Sequence, residues 1–417
     1  MRGSGGPPPR RLVEALSRPG IALALVAGLG AVSAAYAAYG LDLPLRTDYL
    51  AMLTGASLLA HGGCLYCHAA QVHAQASLLG TPRLGFDPFL ETPVVALAYR
   101  PLLGLPLTAG FAVFLALSAG CVGVSARLLH RRPGFPGGPA GASLLALTLL
   151  SLPAAWNYHL GQVDAVLVLP LTAGALALRA RRPLTGGLLL SCLLLKPQTV
   201  WLVPVALLFA RNWRAVAGMI LGAALWACAS LALAGVAGVG RWLDLLGTQG
   251  PPVDTSIGIP GAVASIGGSV SGFVAALVLG LVAAGWLWRH GGALRARPGV
   301  AVGLGVGLSL LLAPHVYAYD LIALVIPLTV LGERRLASAL ACALLVNASH
   351  LVDTLFIISG PHVEALALLV TVLVMARELA APREDAEPRP ERAAAPPPRP
   401  PAEVETGWRE APDRASS

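Results

Sequence analysis

Residues 160–204 read LGQVDAVLVLPLTAGALALRARRPLTGGLLLSCLLLKPQTVWLVP. Two apolar runs, 164–178 and 184–195, flank a junction that holds Arg179, Arg181 and Arg182. A third, 198–210, follows Lys196 and Pro197. Charges stand only at the ends of these runs, where a bilayer meets water. Proline removes a backbone donor and breaks a helix. The stretch therefore reads as short apolar helices, two of which meet near one face at Lys196-Pro197.

The rest of the chain follows the same plan. Hydrophobic residues make up 56% of the 417 and charged ones 12%, against about 25% charged in soluble domains. Mean hydropathy is +0.71. The expectation is an all-α polytopic membrane protein with about twelve transmembrane helices. The spans fall at 20–40, 107–126, 140–154, 164–178, 184–195, 198–210, 215–236, 271–288, 299–313, 319–332, 335–357 and 362–376. Residues 1–19 are polar and read as a cytoplasmic segment, and 20–380 as the membrane domain. Residues 381–417, rich in Pro, Ala, Glu and Arg, bury too little to fold and read as a disordered cytoplasmic tail. The run AVSAAYAAYG (31–40) is similar to a signal-peptidase site, but the apolar stretch is long and reads as an uncleaved first helix.

Arginine sets the orientation. It recurs at 127–132, 179–182, 211–214, 289–297 and 334–335, in loops that alternate correctly with the spans. The positive-inside rule makes these loops cytoplasmic. The net charge of +8 is thus a topology signal, and no basic stretch carries the aromatics that nucleic-acid binding wants. The outward loops are 41–106, 155–163, 196–197, 237–270, 314–318 and 358–361. The first contains an amphipathic region, 49–80, and an interfacial helix, 94–105.

The outward ends differ from the inward ones. They hold Asp48, Asp87, Glu91, WNYHLGQVD (156–164), KPQ (196–198), RWLDLL (241–246) and PHVYAYD (314–320). Ionisable groups at the margins of apolar spans are functional candidates, and several on one side point to a shared outward cavity. Lys196 is the sole lysine. It reads either as a snorkelling helix-end residue or as the partner of a phosphate or carboxylate. His315 reads as a core imidazole or as a donor to phosphate oxygen. Asp48 reads as a helix cap or as a general base.

In order and spacing these stretches resemble glycosyltransferase family 87, of the GT-C superfamily of polyprenyl-phosphate-dependent enzymes. TDYLAMLTGASLLAHGGCLY (47–66), FDPFLETPVVALAYRPLLGLP (86–106), the 160–204 run, RNWRAVAG and LLLAPHVYAYDLIALVIP carry the likeness, over about residues 20–335. The resemblance implies a GT-C-like bundle in the plasma membrane with its active site on the extracytoplasmic side. It implies an inverting transfer of a sugar from a polyprenyl phosphate to an acceptor hydroxyl on a glycolipid or polysaccharide. Mannose is the expected sugar and arabinofuranose the second. Asp48 would be the base. His315, Lys196, Gln198, Tyr317 and Asp320 would meet the donor. Tyr49, His159, Gln162, Asp164, Asp87 and Glu91 would line the cavity toward the acceptor. The expected partners are membrane lipid, donor and acceptor, with no cofactor and no metal required.

Two features depart from the family pattern. Glu91-Thr92-Pro93 stands where two consecutive prolines are expected. Cys64-Leu65-Tyr66-Cys67-His68 stands where no cysteine is expected, and it spells the attachment motif of a c-type haem. Haem, a disulfide or metal clip, and unpaired thiols remain open for Cys64, Cys67 and His68. A transporter or flippase and a membrane haem protein are the rival function classes. There is no P-loop, no G-x-S-x-G and no H-E-x-x-H.

Overall fold

The computed structural model describes residues 8–42, 47–80, 86–250, 252–356 and 362–380, and all regular structure among them is helical. The expected tail at 381–417 lies outside the described residues. In chain order the helices are α1 (Pro8–Leu16), α2 (Pro19–Asp42), α3 (Asp48–Ala60), α4 (His68–Leu79), α5 (Pro93–Tyr99), α6 (Leu107–His130), α7 (Gly138–Leu149), α8 (Leu152–Leu160), α9 (Asp164–Arg179) and α10 (Pro183–Ser191). They continue with α11 (Val203–Phe209), α12 (Trp213–Gln249), α13 (Ile259–Gly267), α14 (Ser269–Arg289), α15 (Gly291–Arg295), α16 (Pro298–Leu312), α17 (Val325–Gly332), α18 (Leu336–Phe356) and α19 (His362–Ala380). Short 3₁₀ turns cover Arg100–Gly104, Cys192–Leu195, Pro197–Thr199, Val253–Thr255 and Ala318–Leu324.

Among the described residues, α2, α6, α12, α14 and α18 are each long and apolar enough to cross a membrane, and the bent pair α7–α8 makes a sixth. The 24 residues of α2 or α6 rise about 36 Å, enough for a hydrocarbon core of about 30 Å. Every expected span holds a helix, but several are cut short by Pro and Gly. Pro183–Leu195, Pro298–Leu312 and Ala318–Gly332 stop at 10–17 residues. Their irregular ends are tolerable where protein rather than lipid surrounds them.

Two apolar helices show where lipid and core lie. On α16, 13 of 15 residues are buried, so it runs through the centre. On α14, Val270, Phe273, Val274, Leu277, Val278, Leu281 and Val282 are all exposed. A helix apolar on every side is either buried in protein or faces lipid, and these two are one of each. Cys228 of α12 is exposed, so it is not the core residue its apolar setting suggests.

Two stretches expected as outer loops are largely helical. In 155–163, Ser151 caps α8 by accepting the Ala154 N–H at 3.1 Å, and Gly161 ends it in the left-handed region (φ 71°). This helix is bent by 48° from α7. In 237–270, α12 continues to Gln249 past a break at Gly235 (φ 69°, ψ 171°), a conformation open essentially to glycine alone.

The two ends of the bundle differ chemically. At one, Glu333 pairs with Arg132 and, at 2.9 Å, with Arg179. That joins three of the arginine-bearing junctions on one side. The other end holds a cavity.

Candidate active site

The cavity measures about 790 Å³, within the usual range for small-ligand sites, and is lined by residues from seven stretches of chain. Asp48 enters from the first turn of α3. The cap of that helix is Thr47, whose side chain makes no cap bond. Asp48 is therefore not the N-cap. Its Oδ2 instead accepts a hydrogen bond from Gln162 Nε2.

Gln162 is placed by the turn that closes α8. A Cβ on Gly161 would lie 2.7 Å from the Phe111 ring and 2.8 Å from Tyr49 Cβ. Positive φ and close approach thus both demand glycine there. The free Oε1 of Gln162 is buried with no partner among the described residues. Burial pushes the Asp48 carboxyl above its ordinary value, the Gln162 bond opposes this, and nearby Asp87 adds to the rise.

Lys196 is 2% exposed. Its Nζ is shared by Asp164 Oδ2 and, at 3.0 Å, Asp320 Oδ1, and lies 4.3 Å from the centre of the Tyr319 ring. Asp320 also accepts the Tyr317 N–H at 2.8 Å through Oδ2. Asn157 ties the same turn to α8 and α9: its Nδ2 donates to Tyr319 O at 2.7 Å, and its Oδ1 accepts the Ala165 N–H at 3.1 Å. Lys196 lines the cavity while its one ammonium bridges two carboxylates behind the wall.

His315 also lines the cavity, edge-on to Phe273 with centroids 5.7 Å apart. Its Nδ1 is buried without a partner among the described residues. Burial lowers its pKa, which favours the neutral imidazole. Tyr317 and Gln198 complete this part of the lining, the Tyr317 hydroxyl lying 3.2 Å from Thr255 Oγ1. Asp87, Glu91 and Thr92 line it from the segment before α5.

Of the expected residues, Asp48, Gln162, Lys196, Gln198, His315, Tyr317, Asp87 and Glu91 meet in this one cavity. Asp164 and Asp320 sit behind Lys196. Two others face elsewhere. Tyr49 is fully buried and stacks on Phe111 at 4.8 Å. His159 stacks on Tyr39 of α2 at 4.9 Å. Both are packing residues. Trp242, within the outward run RWLDLL, and Trp201, which sequence reasoning did not single out, line the cavity too. The break at Gly235 turns the last part of α12 so that Trp242 Nε1 donates to Leu90 O at 2.7 Å.

Cys64 and Cys67 form a disulfide with Cα atoms 5.4 Å apart. Haem attachment through thioethers needs both thiols, so the haem reading fails here. His68 packs edge-on against Phe86. The disulfide closes the turn between α3 and α4, and Tyr66 inside it donates to Glu91 O at 2.8 Å. The motif therefore shapes the rim of the cavity.

The model of glycosyltransferase family 87 matches residues 89–314, more than half of the chain. The chain belongs to glycosyltransferase family 87. It is a membrane glycosyltransferase. No curated protein and no solved structure gives a significant match. The matched segment of this family 87 chain carries Glu91, Gln162, Asp164, Lys196 and Gln198. Asp48 and His315 flank it.

Proposed function

We propose that this family 87 protein transfers a sugar, mannose first and arabinofuranose second, from a polyprenyl phosphate to an acceptor hydroxyl, with inversion. The observation that carries the reading is the meeting of Asp48 and His315, distant in sequence, in one cavity. Asp48 is the general base. Attack by an alcohol on the anomeric carbon needs a carboxylate within reach of its proton, and Gln162 holds one carboxylate oxygen and leaves the other for the acceptor. His315 faces the departing phosphate, whose growing charge needs hydrogen-bond donors. Tyr317 and Gln198 stand beside it. Lys196 offers this wall its one remaining N–H while Asp164 and Asp320 hold it.

The arginine-rich junctions support a reading in which the cavity lies on the extracytoplasmic side of a plasma-membrane, GT-C-like helical bundle. The acceptor is a glycolipid or polysaccharide, and the reaction needs no cofactor or metal. A carboxylate deprotonates the acceptor, and the lipid phosphate leaves toward the hydrogen-bond donors of the His315 wall. Asp48→Asn keeps shape and removes basicity. Transfer from a polyprenyl-phosphate sugar in reconstituted membranes falls 100- to 10,000-fold, on the order of a lost general base, while the variant elutes and melts as the parent does. Parental transfer by a folded Asp48→Asn protein removes the mechanism.

A further inference from the structure

Trp242 is half-buried, lies on the part of α12 beyond the break at Gly235, and lines the cavity. Its indole is fixed from two directions. Nε1 donates to Leu90 O at 2.7 Å. Tyr66, stacked on Phe89 at 6.0 Å, tilts against the ring with centroids 6.5 Å apart. The Cys64–Cys67 disulfide closes the turn that carries Tyr66, and Arg241, next to Trp242, reaches Cys64 Sγ at 3.5 Å. A tryptophan that only anchors a helix at a membrane interface keeps its N–H in the wet headgroup layer. Here the one polar atom of the side chain is spent on the protein. What the indole has left to offer a ligand is its face.

Position decides which ligand meets that face. Leu90 belongs to the stretch that also brings Asp87, Glu91 and Thr92 to the lining. Asp48 feels the charge of Asp87, so this wall stands on the side of the base, where the acceptor must come. The donor side is built from other elements: His315 meets Phe273 of α14, and Tyr317 meets Thr255. The second tryptophan, Trp201, belongs with α14 as well. Its Nε1 donates to Ser309 O at 3.3 Å, and a Cβ on Gly280 would lie 2.5 Å from its ring. The face of an aromatic ring is negative. The C–H bonds on one side of a pyranose, polarised by the ring oxygens, complement it and leave the hydroxyls free for polar partners. An open-chain polyol carries the same hydroxyls but has no flat C–H side.

We propose that Trp242 is the stacking platform for the acceptor: its face receives the C–H side of a pyranose ring, which selects a cyclic sugar and presents its hydroxyl to Asp48. This rests on the reading of the cavity as a glycosyl-transfer site. Stacking on one aromatic face is worth up to about tenfold in affinity.

The test is saturation-transfer NMR on the purified protein in lipid nanodiscs, with methyl α-mannopyranoside and, as the open-chain polyol, mannitol. In the parent the ring C–H protons of the pyranoside are saturated and those of mannitol are not. Trp242→Leu weakens pyranoside binding about five- to tenfold. Trp242→Phe loses the same tether to Leu90 but keeps an aromatic face, and stays within about twofold of the parent. Parental binding by Trp242→Leu, equal losses in both variants, equal saturation of the two ligands by the parent, or no pyranoside signal at all overturns the proposal. The parent's contrast between the two ligands is a test whether or not the leucine variant folds. Transfer from a polyprenyl-phosphate sugar to octyl α-mannoside, in the same nanodiscs, reports separately on the glycosyltransferase reading. Its failure with the pyranoside contrast intact refutes that reading and leaves the stacking platform standing.

Discussion

Removing the Lys196 ammonium is a stability experiment before it is a catalytic one. Lys196 is 2% exposed, and its partners Asp164 and Asp320 are 4% and 0% exposed. Lys196→Ala leaves two buried carboxylates with no counter-charge between them. Breaking one buried pair by deleting a partner costs about 3–5 kcal/mol, and here a single deletion strands two partners. The lower figure corresponds to a melting temperature lower by roughly 3 °C in a chain of this size. The damage should be repaired from the other side. Asp164→Asn or Asp320→Asn added to Lys196→Ala removes the stranded charge and recovers at least half of the loss. Either single asparagine variant is milder than Lys196→Ala, because Lys196 keeps one carboxylate. The assay is the loss of the monodisperse peak after heating in detergent, read across the full double-mutant cycle. If Lys196→Ala melts as the parent does, or if neither asparagine rescues it, the triad is not a closed charge unit. Lys196 would then be free to act on the donor phosphate alone, and the loss would appear only in donor use.

Gly161→Ala forces a side chain onto a positive-φ turn and against Phe111 and Tyr49. It should cost about 2–3 kcal/mol and lower transfer further by moving Gln162 off Asp48; a parental melt with parental activity would show that the turn does not position the base. The Glu91 carboxyl titrates near about 7, above its usual 4.5, because it is buried. Between these values the folded state keeps a proton that the unfolded state releases, so this group lowers stability as pH rises from about 4.5 to about 7. The melting temperature of Glu91→Gln, relative to the parent, should therefore climb through that window and level off above it. A flat difference from pH 4.5 to 8 would refute the burial of this carboxyl.

Much of this protein is written in one dimension. A polypeptide in lipid must carry apolar side chains and satisfy its backbone internally, and long apolar runs without alternation do so as helices. Charge cannot cross freely, so arginine marks one set of junctions and the polar clusters mark the other. Asp48, Lys196 and His315 stand out because ionisable groups are rare here, and rarity is visible without coordinates.

Three dimensions decided the rest. Lys196 reads the same in sequence whether it snorkels, binds phosphate or pairs with protein; only packing brings Asp164 and Asp320 to its two sides. The acids at 87 and 91 share one segment and Asp48 stands on another, and their convergence is a matter of distance rather than spacing. Trp242 carries no signal of its own, and it reaches the cavity because the chain bends at Gly235. The thiols at 64 and 67 spell haem attachment and a disulfide with the same letters, and the fold bonds them to each other. A sequence fixes which groups the membrane must keep at its margins, since transfer free energy is a property of single residues. Which of those groups meet, and which are spent on one another, depends on contacts between residues far apart in the chain, and those exist only after the helices have packed.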